Sequence, residues 1–271
     1  MAQMERFSDP ETGGPVRVEL RRDGTVFRII RRIRYDDPHH DEPFIVPADL
    51  EAFRTDLASI PWFFAWLVPG LGSHLPAVLV HDALVLAPGE PRCHIGPDVD
   101  REEADRILRD SMADLGTPVV RRWLMWAGVM LATAWSDLRP RWRWRPLVAV
   151  GLGGIAVLGA VATADLFDAG DGGLLPWMGE RPWWVELPLG GAGAVIVPLA
   201  ISVLWGRRWR VGAIAGVALA VLLHVTVAVV AVYGLYAALE WLVSGPVEGS
   251  GPSVPANRAD PQAGRDPVGT P

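Results

Sequence analysis

Apolar and polar residues alternate one for one over residues 16–21, with Val16, Val18 and Leu20 set against Arg17, Glu19 and Arg21. That is the period of a strand with one buried face. Asp23 and Gly24 follow, a pair suited to the positive φ angles of a tight turn, and residues 26–33 are rich in β-branched side chains. The pattern predicts a β-hairpin. Residues 35–43 hold Asp36, Asp37, His39, His40 and Asp41 without regular spacing, and are read as a solvated loop rather than a metal-binding tract. Residues 44–46 form a short strand ended by Pro47.

Beyond residue 75 the period becomes helical. From Pro76 to Leu86 the chain is apolar nearly all round, as a buried helix is, except for His81 and Asp82 in its middle. After a Pro/Gly-rich loop, Asp98 or Asp100 is placed to cap a second helix reaching about Leu115. On that helix Asp105, Leu108, Met112 and Leu115 share one stripe, while Glu102, Arg106 and Asp110 point elsewhere. Thr117 and Pro118 look like a cap and first-turn proline for a third helix over residues 119–138. That helix is too short in its apolar part for a confident span. It is read as packing on the domain or lying at an interface, with a fourth span as the other possibility.

The rest changes class. Arg139, Arg141, Arg143 and Arg145 interleave with Trp142 and Trp144, and residues 147–164 then run uncharged. A basic-aromatic belt beside such a run reads as a membrane-interface anchor rather than a nucleic-acid patch. Uncharged stretches at 187–205 and 211–239 give two further expected spans, the last one longer than a bilayer core requires. Arg207, Arg208 and Arg210 lie between these two, whereas Asp165, Asp168, Asp171 and Glu180 lie between the first two. The positive-inside rule then puts the N-terminal domain in the cytoplasm and the tail outside. His224, mid-span and without an acidic partner in the spans, is expected to be neutral and bonded between helices. Residues 244–271, rich in Pro, Gly and Ser, lack the apolar side chains to fold.

Composition narrows the picture. Half of the 271 residues are hydrophobic, lysine is absent and the formal net charge is -6, so nucleic acid is not an expected partner. Cys93 is the single cysteine, which excludes an internal disulfide. Residues 1–15 carry no apolar run of the kind a secretory leader needs, so no cleavable signal is expected. The fold class expected is α+β: a small cytoplasmic domain at 1–138, a hairpin plus about three helices, then a membrane region at 139–243 and a disordered tail at 244–271.

Candidate chemistry lies in two stretches, Thr55-Asp56-Leu57-Ala58-Ser59-Ile60-Pro61 and His81-Asp82. A carboxylate and an imidazole side by side in a buried helix are costly without partners, so both should be paired or bound to a cation. Asp105, on the inward stripe of the next helix, is the natural partner for His81. The heptapeptide, the His81-Asp82 pair, Ala104-Asp105 and Met112 together resemble a domain family of unknown function found in phage and bacterial genomes. The resemblance covers about residues 15–135.

The same motifs bear a more distant resemblance to secreted prokaryotic phospholipases A2. That resemblance implies calcium held by Asp56, the Leu57 carbonyl and Asp82, with His81 as general base and Asp105 orienting it. The chain departs from the phospholipases in having Val85 where they carry a tyrosine, and in lacking their disulfides. Two functional readings follow. One is a membrane-anchored binding or assembly module whose Asp56, His81, Asp82 and Asp105 form a buried polar or metal site. The alternative is a calcium-dependent ester hydrolase acting near the lipid bilayer, its natural partner.

Overall fold

The computed structural model describes residues 6–24, 26–55, 71–85, 91–167, 173–178 and 181–245. Among them, five short strands make two sheets: β1 (Phe7–Ser8), β2 (Leu20–Asp23), β3 (Val26–Ile29), β4 (Ile33–Tyr35) and β5 (Phe44–Val46). The hairpin turns at the expected place. β2 pairs antiparallel with β3, and Gly24 adopts φ +65°, a backbone state L side chains resist.

The long β-branched run, however, does not form one returning strand. It splits into β3 and β4, which belong to different sheets, and β4 lies between β1 and β5. The reason is in the alternation. Ile29 and Ile33 are both fully buried, so an unbroken strand would also turn Arg31 inward. The break frees Arg31 to pair with Asp9 at 2.8 Å and Glu19 at 3.0 Å, and Arg32 to donate to the carbonyls of Pro47 and Ala48.

Ile45 exchanges backbone hydrogen bonds of 2.8 and 2.9 Å with Ile95, tying the 91–97 segment to the sheet. Gly96 makes this approach possible: its φ is +130°, and a Cβ there would lie 2.5 Å from the Pro43 carbonyl oxygen. Gly96→Ala is expected to lower stability by roughly 2–3 kcal/mol through strain and clash. Equilibrium chemical denaturation measures this, and an unchanged midpoint would contradict it.

The helices are α1 (Leu75–Leu84), α2 (Arg101–Asp114), α3 (Val119–Ser136), α4 (Arg141–Leu166), α5 (Trp183–Ser202) and α6 (Trp209–Ser244), with a 3-10 segment, Val203–Arg208, before α6. Asp100 caps α2, accepting from the Glu103 amide at 2.8 Å. The expected cap of α3 is not made. Pro118, not Thr117, occupies the N-cap position, and the buried Thr117 hydroxyl has no hydrogen-bond partner among the described residues. α1 packs its apolar sides into a core with Ile29, Ile33, Tyr35, Phe44 and Val46 of the sheets and Ile107, Leu108 and Met112 of α2. A second cluster joins Trp126, Met130 and Ala134 of α3 to Trp144 and Val148 of α4, with Trp205 and Val211.

The Arg/Trp belt is itself helical, since α4 begins at Arg141 and carries Pro146 inside it. Two helical stretches are long and apolar enough to cross a membrane, Arg141–Leu166 and Trp183–Ser244. Only 11% and 28% of their most apolar windows are buried, unlike the core helices of a soluble protein. The second stretch is not one straight helix. Gly206, at φ +58° and ψ -123°, breaks it between α5 and α6. By backbone contacts the chain divides into two compact units, 1–229 and 230–271. The expected disordered tail lies, from residue 246 on, outside the described residues.

Candidate functional site

α1 owes its place to burial: Pro76, Ala77, Val78, Leu79, Val80, Ala83 and Leu84 are all buried. Its two polar residues, His81 and Asp82, are only half-buried and therefore sit where the helix leaves the core. Each has a carboxylate or hydroxyl partner delivered by a different element.

His81 Nε2 lies 2.8 Å from Asp105 Oδ1 on α2, and the side chains are 12% and 1% exposed. The second Asp105 oxygen accepts from the Thr133 hydroxyl of α3 at 2.6 Å. One fully buried carboxylate thus holds three helices together. An ionised carboxylate can only accept, so the shared proton sits on His81 Nε2. Nδ1 is then the basic nitrogen, and among the described residues it makes no hydrogen bond. A fixed tautomer, a buried orienting carboxylate and a ring that reaches the surface are what a general base needs.

Beside this pair, Asp82 Oδ2 accepts from the Thr55 hydroxyl at 2.6 Å. Thr55 is itself locked to β3, exchanging backbone bonds of 2.8 and 3.0 Å with Phe27. The hairpin therefore delivers the chain to Asp82 at the residue that precedes Asp56. Asp56 and Leu57 lie outside the described residues.

Thr133 was not among the residues singled out by pattern. Its signal was nevertheless present: Trp126, Met130 and Thr133 form a buried stripe on α3, with Thr133 the polar member. The logic that selected Asp105 on α2 selects Thr133 on α3 equally well.

The 35–43 loop departs from expectation. Asp37 is buried, not solvated, and its carboxylate receives Arg106 at 2.7 and 3.2 Å and His40 Nδ1 at 2.7 Å. Burial pushes the Asp37 carboxyl up. The hydrogen bonds from Arg106 and His40 and the charge of Arg106 outweigh that, leaving it below the ordinary value. Asp37, His40 and Glu103 place potential metal-ligand atoms within 4.8 Å of one another. Arg106 also reaches Glu103 at 2.7 Å and Asp110 at 3.0 Å, so a guanidinium already supplies the positive charge this cluster requires. Nearby, Tyr35 donates to Asp114 at 3.0 Å, and burial followed by the Asp114 charge pushes its hydroxyl far up.

Residues 27–129 match the model of a family described as a protein of unknown function (DUF1353). The matched span contains Thr55, His81, Asp82 and Asp105 and ends just before Thr133. No curated protein and no solved structure matches the chain.

Proposed function

We propose that the N-terminal domain is a membrane-anchored ester hydrolase of general-base type. His81 is the catalytic base, Asp105 orients it and Thr133 positions Asp105. The observation that carries this reading is the geometry of the imidazole: Nε2 lies 2.8 Å from a buried carboxylate, while Nδ1 makes no hydrogen bond among the described residues on a side chain that is 12% exposed. In this reading Nδ1 takes a proton from a water molecule, and Asp105 stabilises the imidazolium that forms.

A cation completes the site. Asp56, the Leu57 carbonyl and Asp82 would hold it, an all-oxygen set suited to calcium. The Thr55–Asp82 bond supports this set because it brings the chain next to Asp56 onto Asp82. When bound, calcium supplies positive charge to the ester oxygen that becomes anionic. The substrate class is an ester-bearing lipid of the adjoining bilayer. The test is ester release from phosphatidylcholine vesicles by the full chain, with calcium present and then chelated. Cleavage that is absent in calcium would sink the hydrolase.

A second reading has its own observation. Asp105 uses both oxygens to join α1, α2 and α3, which is also how a structural staple works in a binding or assembly module. That reading predicts no turnover and a loss of stability when the staple is cut.

The anchor has three spans, α4, α5 and α6, with the domain and the Gly206 corner on the cytoplasmic side. Arg208, at that corner, makes a two-pronged ion pair with Glu102 of α2 and stacks 5.0 Å from the Trp144 ring centre. These contacts support placing the corner and the domain on one side. Arg143, Arg207 and Arg210 face no acidic partner among the described residues, as suits an anionic membrane surface. In a Cys93→Ser background, a membrane-impermeant thiol reagent added outside is expected to label a cysteine at Gly173 and spare one at Gly206. The reverse pattern would overturn the orientation.

A further inference from the structure

α4, α5 and α6, with the 173–178 segment, line an open-sided cavity of about 410 Å³, at whose rim Phe167 and Val221 are 75% and 53% exposed. That volume falls in the range of small-molecule sites. Its walls are apolar apart from Thr163, Glu186, His224 and the indole N–H of Trp177. Thr163, Glu186 and His224 are already engaged by the protein. The Thr163 hydroxyl bonds to His224 and to the Gly159 carbonyl at 2.8 Å, and Glu186 accepts from the Arg181 amide at 3.3 Å. Beyond one acceptor for the Trp177 N–H, the cavity asks no hydrogen bond of its occupant. An unfilled apolar pocket leaves its lining short of contacts, and hydrocarbon is what restores them.

Glycine makes the space. Gly159 on α4 and Gly191 on α5 line it, and a Cβ built at either would meet no atom within 4 Å. The apolar surface continues outward from it, with Val157 62% and Leu187 55% exposed.

We infer that this cavity is a binding site for a lipid acyl chain, entered from the bilayer. The inference rests on the reading that α4, α5 and α6 lie in a membrane. It adds a second lipid site, separate from His81 and formed by the apolar helices and the 173–178 segment.

The experiment uses the full chain in vesicles of phosphatidylcholine doped with a phosphatidylcholine that bears a photoactivatable diazirine in its acyl chain. Crosslinked residues are mapped by mass spectrometry. Wild type is expected to crosslink on the cavity wall, at residues such as Ile155, Leu158 and Val197, as well as on the outward face at Val150 and Val157. Gly159→Leu and Gly191→Leu should each cut cavity-wall crosslinking roughly tenfold, because leucine fills the space the chain would occupy, and spare the outward face. Gly153→Leu, whose Cβ also meets nothing and which does not line the cavity, should change neither. Outward-face labelling with an unlabelled cavity wall, or wall labelling indifferent to both leucines, would overturn the cavity site alone. No labelling on any of the three helices would overturn the membrane reading beneath it.

Discussion

If the domain is the proposed hydrolase, His81→Gln is expected to reduce calcium-dependent ester cleavage by roughly 10²–10⁴-fold, the usual contribution of a positioned general base. Glutamine can still reach Asp105 with its amide, so the buried carboxylate keeps a donor, but it has no basic nitrogen to accept a proton. Calcium binding, followed by isothermal titration, should survive because Asp56 and Asp82 are untouched. Thr133→Val acts more gently. It removes a 2.6 Å hydrogen bond to a buried carboxylate, so stability should fall by about 2 kcal/mol. Activity should fall too, because Asp105 holds the ring less firmly. If His81→Gln instead lowers stability by ~1–3 kcal/mol while wild type shows no turnover, the dyad is a structural staple and the binding-module reading stands.

The second large effect belongs to Arg106. Replacing it by alanine leaves the Asp37 carboxylate, whose side chain is fully buried, with His40 and one backbone amide as hydrogen-bond partners among the described residues and the His39 ring at 3.9 Å. Breaking a buried pair from one side typically costs 3–5 kcal/mol. Arg106 is itself 19% exposed, so about 3 kcal/mol is expected, read by equilibrium denaturation near neutral pH. The effect should depend on acid in a definite direction. The folded Asp37 carboxyl lies below its ordinary value, so its contribution is present above about pH 4 and is lost as pH falls through the lowered folded value. Wild type and Arg106→Ala should therefore converge in stability as the solution is acidified below pH ~4. A gap that stays constant into that range would show that Arg106 acts through packing alone.

Much of the local structure was legible before folding. The Asp23-Gly24 turn, the helix carrying His81 and Asp82, the Asp100 cap and the inward stripe of Asp105, Leu108 and Met112 all follow from nearest-neighbour chemistry and period. The pairing of His81 with Asp105 was also legible, because a polar residue on each of two buried faces leaves few places for either to go. The bounds of the apolar helices were less so. Charged and aromatic flanks such as Arg141, Trp183 and Trp209 continue the helix once backbone hydrogen bonds are counted, although they end the hydropathy run.

What the sequence determined by itself is thus the set of elements and the polar residues placed among apolar ones, since side-chain period and turn chemistry are local. Beyond the His81–Asp105 pair, tertiary structure decided which of those polar groups share a partner. Arg31 cannot be buried in a continuous strand, so the β-branched run splits between two sheets. Asp37 looked like one acid among several in a polar loop, and became the buried anchor of that loop because Arg106, 69 residues away, arrives on α2 with a matching charge. Thr133 joined the dyad in the same way, 28 residues beyond Asp105, because α3 folds back along α2 and presents a hydroxyl to the one oxygen His81 leaves open. A carboxylate removed from water takes the partners that packing brings within reach, and separation along the chain carries no record of that.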